Sequence, residues 1–90
     1  MAKGKFLPGQ FYDFGDWFTR KLSRWTVINV IDDRVWFKVV ERETGDVTYE
    51  EKPIFLDTED NEYILLYIYM DCEARIPAHL VDEIYLPPTG

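Results

Sequence analysis

The chain has 90 residues, 47% of them hydrophobic and 30% charged. That length holds one small domain, and that composition excludes a disordered, collagen-like or membrane-spanning helical chain. Ten basic against seventeen acidic side chains leave a net charge of −7, which favours solubility and works against unspecific contact with nucleic acid or anionic membrane.

Lys3 and Lys5 open the chain without the apolar stretch that a signal peptide would place behind them. Ala2–Lys5 and the closing Pro87-Pro88-Thr89-Gly90 read as frayed ends around a core of about residues 6–86. Residues 10–24 carry the weakest signal. Asp16 is placed to cap a short helix with Phe18, Leu22 and Trp25 on one face, and a strand followed by a long loop fits the same residues. The reading adopted is a loop or one helical turn.

From residue 25 the pattern is β. Trp25–Ile31 and Val35–Val40 are dense in β-branched residues, with Asp32-Asp33 between them as a hairpin turn. Alternation puts Val35, Phe37 and Val39 inward and Arg34, Trp36, Lys38 and Val40 outward. Glu43-Thr44-Gly45-Asp46 is the next turn, with Gly45 in the left-handed conformation of a type I turn plus G1 bulge. It leads to a short strand, Val47–Glu50, expected to face Val47 and Tyr49 inward until Pro53 ends or edges it. Ile54–Leu56 reads as a brief strand and Asp57–Glu62 as a solvated acidic loop. Tyr63–Met70 is the strongest strand: Ile64, Leu66, Ile68 and Met70 share one face, Tyr63, Leu65, Tyr67 and Tyr69 the other. Asp71-Cys72-Glu73 turns the chain into Ala74–Ile76, Pro77–Val81 reads as one tight helical turn, and Ile84–Leu86 as a last strand.

Five to six short antiparallel strands at this spacing predict a mainly β small barrel. Two stretches resemble SH3 domains. Ile76-Pro-Ala-His-Leu-Val81 is similar to the Ile-Pro-Ser-Asn-Tyr-Val stretch that forms a 3₁₀ turn before their last strand, and Gln10-Phe-Tyr-Asp-Phe14 to their opening Ala-Leu-Tyr-Asp-Tyr. The paired tryptophans of the SH3 ligand groove are absent, with Tyr67 and Tyr69 in their place, and Leu80 replaces the groove tyrosine of the tail motif. The resemblance therefore implies an SH3-like barrel with a 3₁₀ turn near its C-terminus. It does not imply proline-rich peptide binding.

Catalytic chemistry has little to work with. His79, Ser23 and Cys72 are single copies outside any nucleophile–base motif, and Cys72 lies between Asp71 and Glu73, whose charges oppose thiolate formation. Cys72, as the lone cysteine, excludes an internal disulfide and a cysteine-based zinc site, and fits a reducing, cytoplasmic setting. Asp57–Glu62 starts like a calcium loop, but Glu62 and Ile68 stand where an EF-hand needs Gly and Glu. No enzyme activity, cofactor or metal is expected.

Two surfaces remain. Tyr63, Leu65, Tyr67 and Tyr69, together with Trp36, suit a protein interface, because tyrosine offers rigid apolar area with a polar tip. Arg34, Trp36 and Lys38, joined by Arg20, Lys21 and Arg24, offer the ring-and-cation pattern that stacks bases and holds phosphates. Charge is also polarised: residues 1–45 carry eight basic and six acidic side chains, residues 46–90 two and eleven. The reading that results is a non-enzymatic protein-interaction module, an adaptor or an acidic inhibitor of a basic protein, with homodimerisation open. The alternative is single-stranded nucleic-acid binding on the Trp36 strand.

Overall fold

The computed structural model describes residues 4–16, 21–69, 72–79 and 84–86. Eight strands lie among the described residues: β1 (Phe11–Asp16), β2 (Leu22–Ile31), β3 (Arg34–Glu41), β4 (Val47–Pro53), β5 (Phe55–Leu56), β6 (Glu62–Tyr69), β7 (Cys72–Pro77) and β8 (Ile84–Leu86). They form a five-stranded sheet in the order β4-β3-β2-β1-β8 and a three-stranded sheet in the order β5-β6-β7. The mainly β expectation holds. The described strands form two sheets, with no closed ring of hydrogen-bonded strands among them, and the pairing is antiparallel except that β1 and β8 run parallel. No helix among the described residues is long and apolar enough to cross a membrane.

The core lies between the sheets. Tyr12 and Phe14 of β1, Val27 of β2, and Val35 and Phe37 of β3 meet Ile64 and Leu66 of β6, Ile76 of β7 and Ala78. Aromatic rings fill its centre: Phe37 makes edge contacts with Phe6, Tyr12 and Trp25 at centroid distances of 6.1, 6.4 and 5.4 Å. Edge-to-face packing of this kind adds to what burial alone contributes. The inward face expected for β3 is confirmed at Val35 and Phe37, both fully buried, with Val39 packed against the core.

Three local expectations change. Residues 11–16 and 22–24 are strand, so Leu22 and Trp25 lie in β2 and not on a helix; Phe18 lies outside the described residues. The cause is tertiary pairing: β1 lies along β2 from Phe11 opposite Thr26 to Gly15 opposite Leu22. Gly4 and Lys5 are not frayed. Gly4 donates its N–H to Asn61 Oδ1 at 2.8 Å and accepts from the Glu62 N–H at 2.9 Å, which delivers Phe6 to the core. Val47 and Tyr49 point outward, at 45% and 65% exposure. Four turn residues lie between the hydrogen-bonded Glu41 and Asp46, the Gly45 N–H donating to the Glu41 carbonyl and the Glu41 N–H to the Asp46 carbonyl. Gly45 does take positive φ (78°), but the even loop length pairs the odd-numbered residues of β4 with the even-numbered, outward residues of β3.

Other expectations stand, apart from those at Glu62, Cys72, Glu73 and Pro77. Asp32 carries the positive φ that a tight hairpin needs, Pro53 closes an edge strand, and 57–60 is exposed loop. In that loop Asp57 Oδ1 accepts the N–H groups of Glu59 and Asn61, an interaction that also holds its carboxyl below the ordinary range. Glu62, by contrast, begins β6 and accepts the Phe6 N–H on Oε1. Cys72 and Glu73 belong to β7, which pairs Cys72 with Tyr69 across a register shift. Pro77 is the last residue of β7 and Ala78-His79 a turn, while the rest of the expected 3₁₀ segment, Leu80 and Val81, lies outside the described residues.

Candidate interaction face

The outward side of the five-stranded sheet is built by register. Residues paired across an antiparallel ladder share a face, so the rows Phe11–Thr26–Lys38–Tyr49, Asn29–Trp36–Glu51 and Ile31–Arg34–Pro53 all point away from the core. A bulge between Val27 and Asn29 adds Ile28 to this side: Val27 is buried, Ile28 exposed, and Val30 returns to the core. The face thus shows Phe11, Ile28, Ile31, Trp36, Val47 and Tyr49, each between 37% and 65% exposed. A clustered exposed apolar surface on a small domain is the usual mark of a contact site.

Its charges are largely paired within the chain. Arg24 donates Nε and Nη2 to the two carboxylate oxygens of Asp13 at 2.8 and 3.1 Å, while its guanidinium lies 4.2 Å from the centre of the Phe11 ring. The hydrogen bond from Arg24 holds the Asp13 carboxyl below its ordinary value. Arg34 pairs with Glu51 on the neighbouring strand. Lys38 makes no ion pair among the described residues.

The residues singled out from sequence therefore divide. Arg34, Trp36 and Lys38 stand together on the exposed face as expected, and Arg24 joins them from the neighbouring strand β2. Lys21, just before β2, lies 3.6 Å from Glu41, and Arg20 lies outside the described residues. Tyr63 and Leu65 belong to the other sheet, so Trp36 is not brought together with them. Both are half-buried. Tyr63 stacks on Phe55 (5.6 Å, 27°) with the Arg75 guanidinium 5.0 Å from its ring, so one flank of the tyrosine face is covered from β5 and β7. The side chains of Tyr67 and Tyr69 lie outside the described residues.

Sequence reasoning missed Phe11, Ile28, Ile31, Val47 and Tyr49. The even-length turn at 42–45 was the available signal for Tyr49; the bulge that turns Ile28 outward has none in the sequence. Elsewhere, an open depression of about 570 Å³ has Lys5, Gln10, Asn61 and His79 as its polar lining. Among the described residues no three His, Cys, Asp or Glu side chains converge as a metal site would require. Comparison with protein-family models, curated proteins and solved structures found no match.

Proposed function

We propose that the chain is a non-catalytic protein-interaction module whose contact surface is the outward face of the five-stranded sheet, with Trp36 and Tyr49 as its anchors. The observation that carries this reading is the cluster of six large apolar side chains on one uncovered sheet face. Buried aromatic anchors surrounded by near-neutral contacts supply most of the affinity at protein interfaces. The acidic excess of residues 46–90 favours a basic partner, which long-range attraction would bring in faster. The reading keeps an SH3-like barrel as its architecture, supported by short strands that enclose one core.

The test is affinity capture from host extract treated with nuclease. A discrete protein retained by the natural chain and lost from both Trp36→Ser and Tyr49→Ser supports the reading; identical retention by all three chains refutes it.

Single-stranded nucleic acid is the second reading, favoured by Phe11, Trp36 and Tyr49 alternating with Arg24, Arg34 and Lys38 on the same face. It ranks lower because Arg24 and Arg34 already hold carboxylates that a phosphate would have to displace. Salt-sensitive binding of a labelled oligonucleotide at low salt, lost in Trp36→Ala, would promote it.

A further inference from the structure

We propose that β4 pairs edge to edge with β4 of a second copy of this chain, antiparallel and centred on Tyr49. This uses the strand edge and not the sheet face, so it stands or falls separately from the interaction reading above.

β4 is the terminal strand of its sheet, and the phase of its hydrogen bonding is fixed from both ends. The Ile54 N–H donates to the Asp33 carbonyl at 2.7 Å, and the Glu41 N–H to the Asp46 carbonyl at 2.9 Å. Bonded and non-bonded pairs alternate in an antiparallel ladder. Val35–Lys52, Phe37–Glu50 and Val39–Thr48 are therefore the bonded pairs between these ends. The peptide groups of Val47, Tyr49 and Glu51 consequently point away from β3, into the open edge. Val47, Thr48 and Tyr49 are exposed, while Glu50, Glu51 and Lys52 are half-buried and β4 passes near β6. Pro53, the next outward position, has no amide hydrogen, so pairing ends at Glu51.

Edge strands are ordinarily blunted by charge and proline, and here the charges select one self-complementary register. Centring on Tyr49 sets Tyr49 against Tyr49 of the second copy as a bonded pair, and Val47 against Glu51. Every outward peptide group from 47 to 51 is then satisfied. In the same register Asp46 faces Lys52 of the second copy, twice by symmetry, and Glu50 faces Thr48. Neither Asp46 nor Lys52 has an ion pair among the described residues. Moving the centre to Thr48 would set Asp46 against Glu50, and moving it to Glu50 would set that carboxylate against itself. Like charges directly opposite destabilise a ladder and opposite charges support it. A two-fold contact of this kind is isologous and closes on itself. It joins the two sheets into one and places two copies of the Trp36 face side by side.

Sedimentation equilibrium at physiological salt tests this, since screening there (about 8 Å) weakens repulsion between the net charges of two chains more than pairs in contact. The natural chain should approach twice its 10.7 kDa mass with rising concentration. Lys52→Glu alone and Asp46→Lys alone should each weaken the dimer about tenfold or more. An equimolar mixture of the two variants should restore it, because both 46–52 contacts of the mixed dimer then join opposite charges, one in the natural sense and one reversed. Circular dichroism identical to the natural chain shows that each variant is folded. A mass that stays at one chain throughout, a dimer indifferent to either substitution, or variants that do not re-associate on mixing would overturn the proposal. Loss of dimerisation leaves partner capture by the Trp36 face unchanged, so the two readings fail separately.

Discussion

The Tyr12 hydroxyl donates to the Ala78 carbonyl at 2.5 Å, joining β1 of the five-stranded sheet to the end of β7 in the other, 66 residues later. Both residues are buried, Tyr12 at 1% exposure and Ala78 at 0%. Tyr12→Phe keeps the ring and strands the carbonyl, which costs about 1–3 kcal/mol. At about 4–8 °C per kcal/mol for a domain of this size, a clear fall in melting temperature is expected in a thermal scan.

The same hydroxyl sets an alkaline limit. Burial, and then the nearby Glu62 charge, push the Tyr12 phenol from 10.0 up to about 12. A group with a raised folded pKa contributes stability that is fully present below its unfolded value and lost as pH rises through the folded one. Urea midpoints should therefore fall between pH 10 and 12, and Tyr12→Phe should flatten that part of the profile relative to the natural chain.

At the acid end, Asp13 behaves in the opposite sense. Its carboxyl is lowered chiefly by the hydrogen bond from Arg24, so its contribution is present above the ordinary carboxylate range and lost as pH falls through the depressed value. NMR titration of Asp13 should move upward, toward the ordinary value, in Arg24→Gln. An unchanged midpoint would mean that this ion pair does not form in solution.

Phe37 is fully buried among three other aromatic rings. Phe37→Ala removes those contacts at a cost of about 3–5 kcal/mol, against a total stability of about 0.05–0.15 kcal/mol per residue in small domains. Circular dichroism melts should show a melting temperature lower by about 12–40 °C. Tyr49→Ser, at the most exposed position of the face, should change stability by no more than about 0.5 kcal/mol in the same assay, and Trp36→Ser, at a half-covered position, by about 1–2 kcal/mol.

The sequence was most informative where burial is one-sided. Alternation along β3 placed Val35 and Phe37 inside and Arg34, Trp36 and Lys38 outside, because a period of two leaves no second arrangement once one face is apolar. It was least informative where long-range pairing decides. β1 became a strand through its ladder to β2 and its parallel contact with β8, neither of which leaves a local signature. Val47 and Tyr49 are the apolar members of a short strand, which argues for an inward Tyr49. The four-residue turn reversed that parity, and the inner positions of the edge strand went to Thr48, Glu50 and Lys52 at the rim of the core. The candidate face was therefore visible in its β3 row alone. The residues flanking that row depend on register.

An uncovered Trp36 beside an enclosed core is what the functional reading rests on. A soluble gadolinium chelate added to dilute, isotope-labelled protein reports it directly through the indole N–H resonances. The Trp36 indole should lose intensity steeply. The Trp25 indole, which donates to Ser23 Oγ at 3.3 Å and packs its ring on Phe14 and Phe37, should be affected far less. Equal protection of both indoles would mean that the face is covered within the chain, and the proposed contact surface would not exist.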